Sequence, residues 1–121
     1  MLNLTPKTAL KYIDEKNEPV LDMMIQFATQ EADCLFTDFN HMPFSLRKLK
    51  RAYSSWQNGL EGRGWNMLYI ENHDHPRMVS RYGCEKFRNE SAKMLAVSYM
   101  FLKGTPFVYQ GQEIGMSNWY P

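Results

Sequence analysis

Cysteine is scarce in this 121-residue chain: Cys34 and Cys84 are the whole supply. Two thiols at that spacing make neither a disulfide framework nor a metal knuckle, and free thiols in a cytoplasmic protein are the expectation. An excess of charge of one sign is also missing. Fourteen Lys and Arg against 13 Asp and Glu leave a formal net charge of +1, without the basic face that nucleic-acid binding uses. No apolar run approaches the roughly 20 residues of a membrane span, so no membrane partner is expected. The opening MLNLTPKTALK has no apolar signal core, which argues against secretion. There are no internal repeats and no low-complexity tract. A Gly-x-Ser-x-Gly nucleophile elbow is absent, and neither cysteine has an adjacent basic context that would activate its thiolate.

What is present is ordinary globular material. A hydrophobic share of 44% and a charged share of 22% fit a folded domain and exclude a disordered or fibrous chain. The length fits one domain, 1–121, which buries roughly 65% of its unfolded surface. Aromatics reach 14% and methionines number 9. Aromatic faces suit sugar rings, but they suit any core equally well.

The spacing predicts a first helix with Thr5 as N-cap and Pro6 at its first position, with Ala9, Tyr12 and Ile13 on one face. Residues 20–27, VLDMMIQF, read as a short strand buried on both sides. Residues 28–44 follow no pattern and are long for a connection. Ser45 caps an amphipathic helix whose apolar stripe is Leu46, Leu49, Tyr53, Trp56 and Leu60. Lys48, Lys50 and Arg51 lie largely off that stripe and read as a solvated face. Residues 67–70 form a second strand, 86–102 a third helix ended by Gly104, and 105–109 a third strand. Strands alternating with helices mean parallel βαβ units, an α/β fold with about three parallel strands. The two edge strands of so small a sheet are apolar and exposed to pairing.

Chemistry in parallel α/β folds gathers at the carboxyl ends of strands. Directly after the second strand come Glu71, Asn72, His73, Asp74, His75, Pro76 and Arg77. A buried acid beside Arg77 stays ionised, and such a carboxylate can hold hydroxyls or stabilise a developing cation. His73 can donate to a sugar hydroxyl. A metal site built from His73, His75 and either Asp74 or His41 is the rival chemistry, and a capped turn with no chemistry is the plainer alternative. No cofactor is implied by any motif. After the third strand, Gln112 and Glu113 are not diagnostic alone.

The stretch WNMLYIENHDHPRMVSR, residues 65–81, resembles the last short motif of the α-amylase clan of glycoside hydrolases, in the oligo-1,6-glucosidase, dextran glucosidase and trehalose-6-phosphate hydrolase branch. ESAKMLA at 90–96 resembles the helix that follows, and GTPFVYQGQEIGM at 104–116 the eighth-strand segment. Trp56 and Gln57 fit as well. The resemblance implies a partial TIM barrel, family strands six to eight of a (β/α)₈ fold. It also implies hydrolysis of α-glucosidic bonds with retention of configuration. It makes Asp74 the transition-state-stabilising carboxylate, and His73, Arg77 and Asn72 substrate-binding residues. The partner in an intact enzyme is then an α-glucoside oligosaccharide. The family's nucleophile and acid/base belong to strands four and five, to which nothing here corresponds, so this chain alone is expected to be inactive. Two further departures are His75, where Gln or Asn is usual, and Gln112, where Glu is usual. A barrel segment with open sheet edges is expected to form a homo-oligomer. The remaining alternative is a non-catalytic protein that self-associates or binds sugar weakly.

Overall fold

Thr5 starts the first helix as a side-chain cap: its Oγ1 accepts from the Thr8 amide at 3.2 Å, and Pro6 takes the first helical position. In the computed structural model, which describes residues 4–33 and 42–119, this helix is α1, Pro6–Ile13. It buries Ala9 and Ile13 against Trp56 and Leu60 of the second helix, α2, Leu46–Leu60. The approach is close because position 59 is glycine: a Cβ there would run into the Pro6 ring. Ser45 caps α2, its Oγ accepting from the Lys48 amide at 3.3 Å. Of the expected stripe, Leu49, Trp56 and Leu60 are buried, while Leu46 is exposed. Lys48, Lys50 and Arg51 are exposed.

Between the helices lies β1, Met23–Met24, which pairs in parallel with β2, Trp65–Leu68, in the register Met23 to Trp65 and Met24 to Asn66. The expected strand over 20–27 is thus cut to two residues. Val20 and Leu21 do not join the ladder: both amides donate to the Tyr12 carbonyl, at 2.8 and 3.0 Å, and both side chains are exposed. The irregular 28–44 stretch opens with a 3₁₀ turn, Ala28–Ala32, packed on α2. Residues 34–41, with Cys34 and His41, lie outside the described residues.

The described residues fall into two compact units, divided between Met67 and Leu68. The second holds α3 (Met78–Tyr82), a 3₁₀ turn (Glu85–Phe87), α4 (Arg88–Met100), β3 (Thr105–Pro106) and a 3₁₀ turn (Gln112–Ile114). The short α3 has no counterpart in the sequence pattern. The chain therefore runs as three strands alternating with helices, in sheet order β1-β2-β3. Leu68, the last residue of β2, accepts from the Phe107 amide at 2.7 Å. The expected strand over 105–109 is thus cut to Thr105–Pro106 with that one further bond from Phe107, and the Phe107 and Val108 side chains are exposed. Ser91 ties the start of α4 to the chain before it, accepting from the Cys84 amide and donating to the Cys84 carbonyl. Cys84 is a free, exposed thiol. Among the described residues no helix is long and apolar enough to cross a membrane.

Candidate functional site

The backbone leaves β2 still buried. Tyr69, Ile70 and Glu71 are each 2% exposed, so an apolar run delivers an acid into the interior. A buried carboxylate is tolerated only when fully partnered, and Glu71 is. Its Oε1 accepts from Arg77 Nη1 at 2.6 Å and its Oε2 from the Met78 amide at 2.9 Å. Arg77 serves several neighbours. The same Nη1 donates to the Gln110 carbonyl at 2.6 Å, the Arg77 amide donates to Asn118 Oδ1 at 2.8 Å, and the guanidinium lies 5.0 Å from the centroid of the Tyr109 ring. Stacking on an aromatic face adds cation–π attraction to the ion pair.

Between these anchors the turn faces solvent. Asn72 Oδ1 accepts from the Asp74 amide at 3.0 Å, an Asx turn that presents the next side chains outward. His73 Nε2 stands 3.3 Å from Asp74 Oδ1, with both side chains more than half exposed. The carboxyl end of β2 thus carries a carboxylate acceptor and an imidazole side by side, open to a ligand. Burial pushes the phenol of Tyr69 well above its ordinary value; the charge of Asp74 adds to this and Arg81 opposes it.

At the end of β3 a second set of bonds completes the surroundings. Gly111 adopts the left-handed conformation that begins the last 3₁₀ turn, with φ of 87°. Gln112 is buried. Its Nε2 donates to the Tyr99 hydroxyl at 2.8 Å and its Oε1 accepts from the Tyr109 amide at 3.0 Å, while Tyr99 donates to the Phe107 carbonyl at 3.3 Å. These bonds fix the segment whose Gln110 carbonyl receives Arg77. Burial raises the Tyr99 phenol, Gln112 opposes that shift, and the charge of Glu71 adds to it.

Asn72, His73 and Asp74 are therefore brought together on one exposed turn, and Arg77 closes that turn from beneath. The buried acid beside Arg77 is Glu71, not Asp74. Glu71 and Gln112 were the residues that pattern alone did not single out. The signal for Glu71 was an acid directly after an apolar run with an arginine six positions on. Gln112 carries no such mark, since its partners lie on α4 and in the β3 segment. Among the described residues no three His, Cys, Asp or Glu side chains converge as a metal ligand set.

The family described as "Alpha amylase, catalytic domain" matches residues 1–120. The chain is 46% identical over 117 residues to an oligo-1,6-glucosidase of Parageobacillus thermoglucosidasius, covering 95% of this chain and 21% of that protein. It is 41% identical over 121 residues to a trehalose-6-phosphate hydrolase of Bacillus subtilis, covering 98% of this chain and 21% of the other. The crystal structure of the Bacillus licheniformis trehalose-6-phosphate hydrolase superposes with a TM-score of 0.89 at 41% identity, over 98% of this chain and 22% of that one. The chain spans about a fifth of the length of these relatives. Its three parallel strands alternating with helices are a partial TIM barrel.

Proposed function

Since the chain belongs to the alpha-amylase catalytic-domain family, we propose that it is the segment of an α-glucosidase that grips the sugar at the scissile bond. The observation that carries this is Asp74: an exposed carboxylate beside His73, at the carboxyl end of β2, on a turn closed by a buried ion pair. In glucoside hydrolysis the transition state resembles an oxocarbenium ion, and a carboxylate near it stabilises the developing positive charge. Asp74 takes that role and accepts from sugar hydroxyls. His73 donates to a hydroxyl, and Asn72 holds the Asp74 backbone. Arg77 contributes to binding, with its Nη1 already engaged by Glu71 and the Gln110 carbonyl. The substrate is an α-glucoside oligosaccharide, and no cofactor, nucleic acid or membrane enters the reaction.

Retaining hydrolysis needs a nucleophile and an acid/base on two closely spaced carboxylates. By resemblance these belong to the fourth and fifth strands of the whole barrel, which have no counterpart among these residues. The 121-residue polypeptide on its own therefore binds but does not cleave. The cytoplasm is the compartment in this reading, which the free, exposed Cys84 thiol favours.

Titrating the ¹⁵N-labelled chain with methyl α-D-glucoside tests the binding half. Shifts centred on residues 72–76 that disappear in Asp74→Asn are expected, and a response that Asp74→Asn leaves intact overturns the reading. A chromogenic α-glucoside tests the other half. No turnover is expected, and turnover that Asp74→Asn removes overturns the inactivity. A second reading, a non-catalytic self-associating protein, is favoured by the exposed apolar residues just beyond the edge strands, among them Ile25 after β1 and Val108 after β3.

A further inference from the structure

Glu71 has no part in the chemistry proposed above, and its side chain is wholly shielded from solvent. A buried glutamate is rare unless something requires its charge. What its two oxygens join is specific. Oε1 meets Arg77 and Oε2 meets the amide of Met78, so one carboxylate at the start of the turn holds both residues at its far end. The five residues between, 72–76, include Asn72, His73 and Asp74. Arg77 passes the restraint on, through the Gln110 carbonyl and through Asn118. Asn118 in turn donates its amide to Ser80 Oγ, on α3 just beyond the turn.

We propose that Glu71 is the positioning residue of the site: its carboxylate clamps the two ends of the 71–78 turn and so holds Asp74 and His73 in one geometry. The functional meaning of that geometry rests on the sugar-gripping role given to Asp74; the clamp itself does not. The chemistry explains why the residue is an acid. Both donors it faces, a guanidinium and a backbone amide, have no acceptor capacity, and an ionised carboxylate offers two acceptors and no donor. Glutamine matches one of them and turns an NH₂ group onto the other. Aspartate keeps both acceptors but reaches one methylene less far.

Hydrogen exchange at the Asp74 amide reads the clamp directly, because that amide is bonded to Asn72 Oδ1 within the turn. The Leu95 amide, inside α4, reports the stability of the same unit. Glu71→Gln is expected to speed exchange at Asp74 by about tenfold or more beyond any change at Leu95, the factor expected for loss of one charge-assisted bond. Glu71→Asp is expected to give a smaller excess of the same sign. Parallel changes at the two amides, or none at Asp74, overturn the proposal. If Glu71→Gln does not fold, Glu71→Asp decides alone: an excess at Asp74 supports the clamp, and its absence ends it. A glucoside titration of the same variants separates the two ideas. If Asp74→Asn leaves the sugar response unchanged while Glu71→Gln frees Asp74, the sugar role fails and the clamp stands. If Asp74→Asn abolishes the response and Glu71→Gln alters neither exchange nor binding, the clamp alone fails.

Discussion

The Asp14–Arg63 and Glu71–Arg77 pairs differ in what surrounds them. Asp14, at the end of α1, accepts from Arg63 at 2.5 Å, from the Lys16 amide at 3.1 Å and from the Asn17 side chain at 2.7 Å. The Arg63 guanidinium first, then the other donors, hold its carboxyl below the ordinary value against the opposing effect of burial. A carboxyl depressed in the folded state stabilises above its unfolded pKa of about 4 and loses that contribution as pH falls through the folded value. Arg63→Ala should therefore lower the Tm near neutral pH and flatten its decline below about pH 4. Melting curves taken from pH 6 downward would check this, and an unchanged acid slope in the variant would refute it. Gln112 offers a neutral comparison. Gln112→Ala leaves the Tyr99 hydroxyl without the donor it accepts from and the Tyr109 amide without its acceptor, at an expected cost of about 1–3 kcal/mol in urea unfolding. A loss below about 0.5 kcal/mol would mean that water replaces the carboxamide.

At the scale of elements, what could be read from sequence depended on how local the cause was. The caps and stripes of α1 and α2 are set within a few residues: Thr5 and Ser45 stand immediately before helical periodicity and take the amides three positions on. The strands were less legible because a parallel ladder is completed by residues far away. Met23 finds its partner at Trp65, and the Val20 and Leu21 amides are captured by Tyr12 before any ladder can form. The turn after β2 was visible as a cluster of polar residues, but the division of labour within it was not. Whether Glu71 or Asp74 faces inward depends on where the backbone emerges after Ile70, not on residue type. Ser45→Ala should cost about 1 kcal/mol, the usual value of an N-cap. Leu46→Ser, one residue on and exposed, should stay within about 0.5 kcal/mol of neutral. A loss for Leu46→Ser as large as that for Ser45→Ala would mean that Leu46 packs, and no loss for Ser45→Ala would mean that the cap contributes nothing.

On the scale of the whole molecule, the unusual quantity is apolar surface left in water. Val20 is 77% exposed and Phe101 84%, and Ile25, Phe107 and Val108 are exposed as well. Isolated exposed hydrophobics are ordinary. These differ because Ile25 adjoins β1 and Phe107 follows β3, the two strands at the edges of the sheet order. In a closed barrel every strand has a neighbour on each side; here three strands leave two edges, each a template for pairing. The relatives continue for about four-fifths of their length outside the matched segment. A polypeptide of these 121 residues alone has only another copy of itself to cover the edges. Light scattering should therefore give a mass above 14.3 kDa that rises with concentration. Ile25→Lys with Val108→Lys should bring the mass down, since edge lysines block strand addition in natural sheets. A single monomeric mass at every concentration would show that two short edges, one of two residues at β1 and one of two at β3, are too small to recruit a partner.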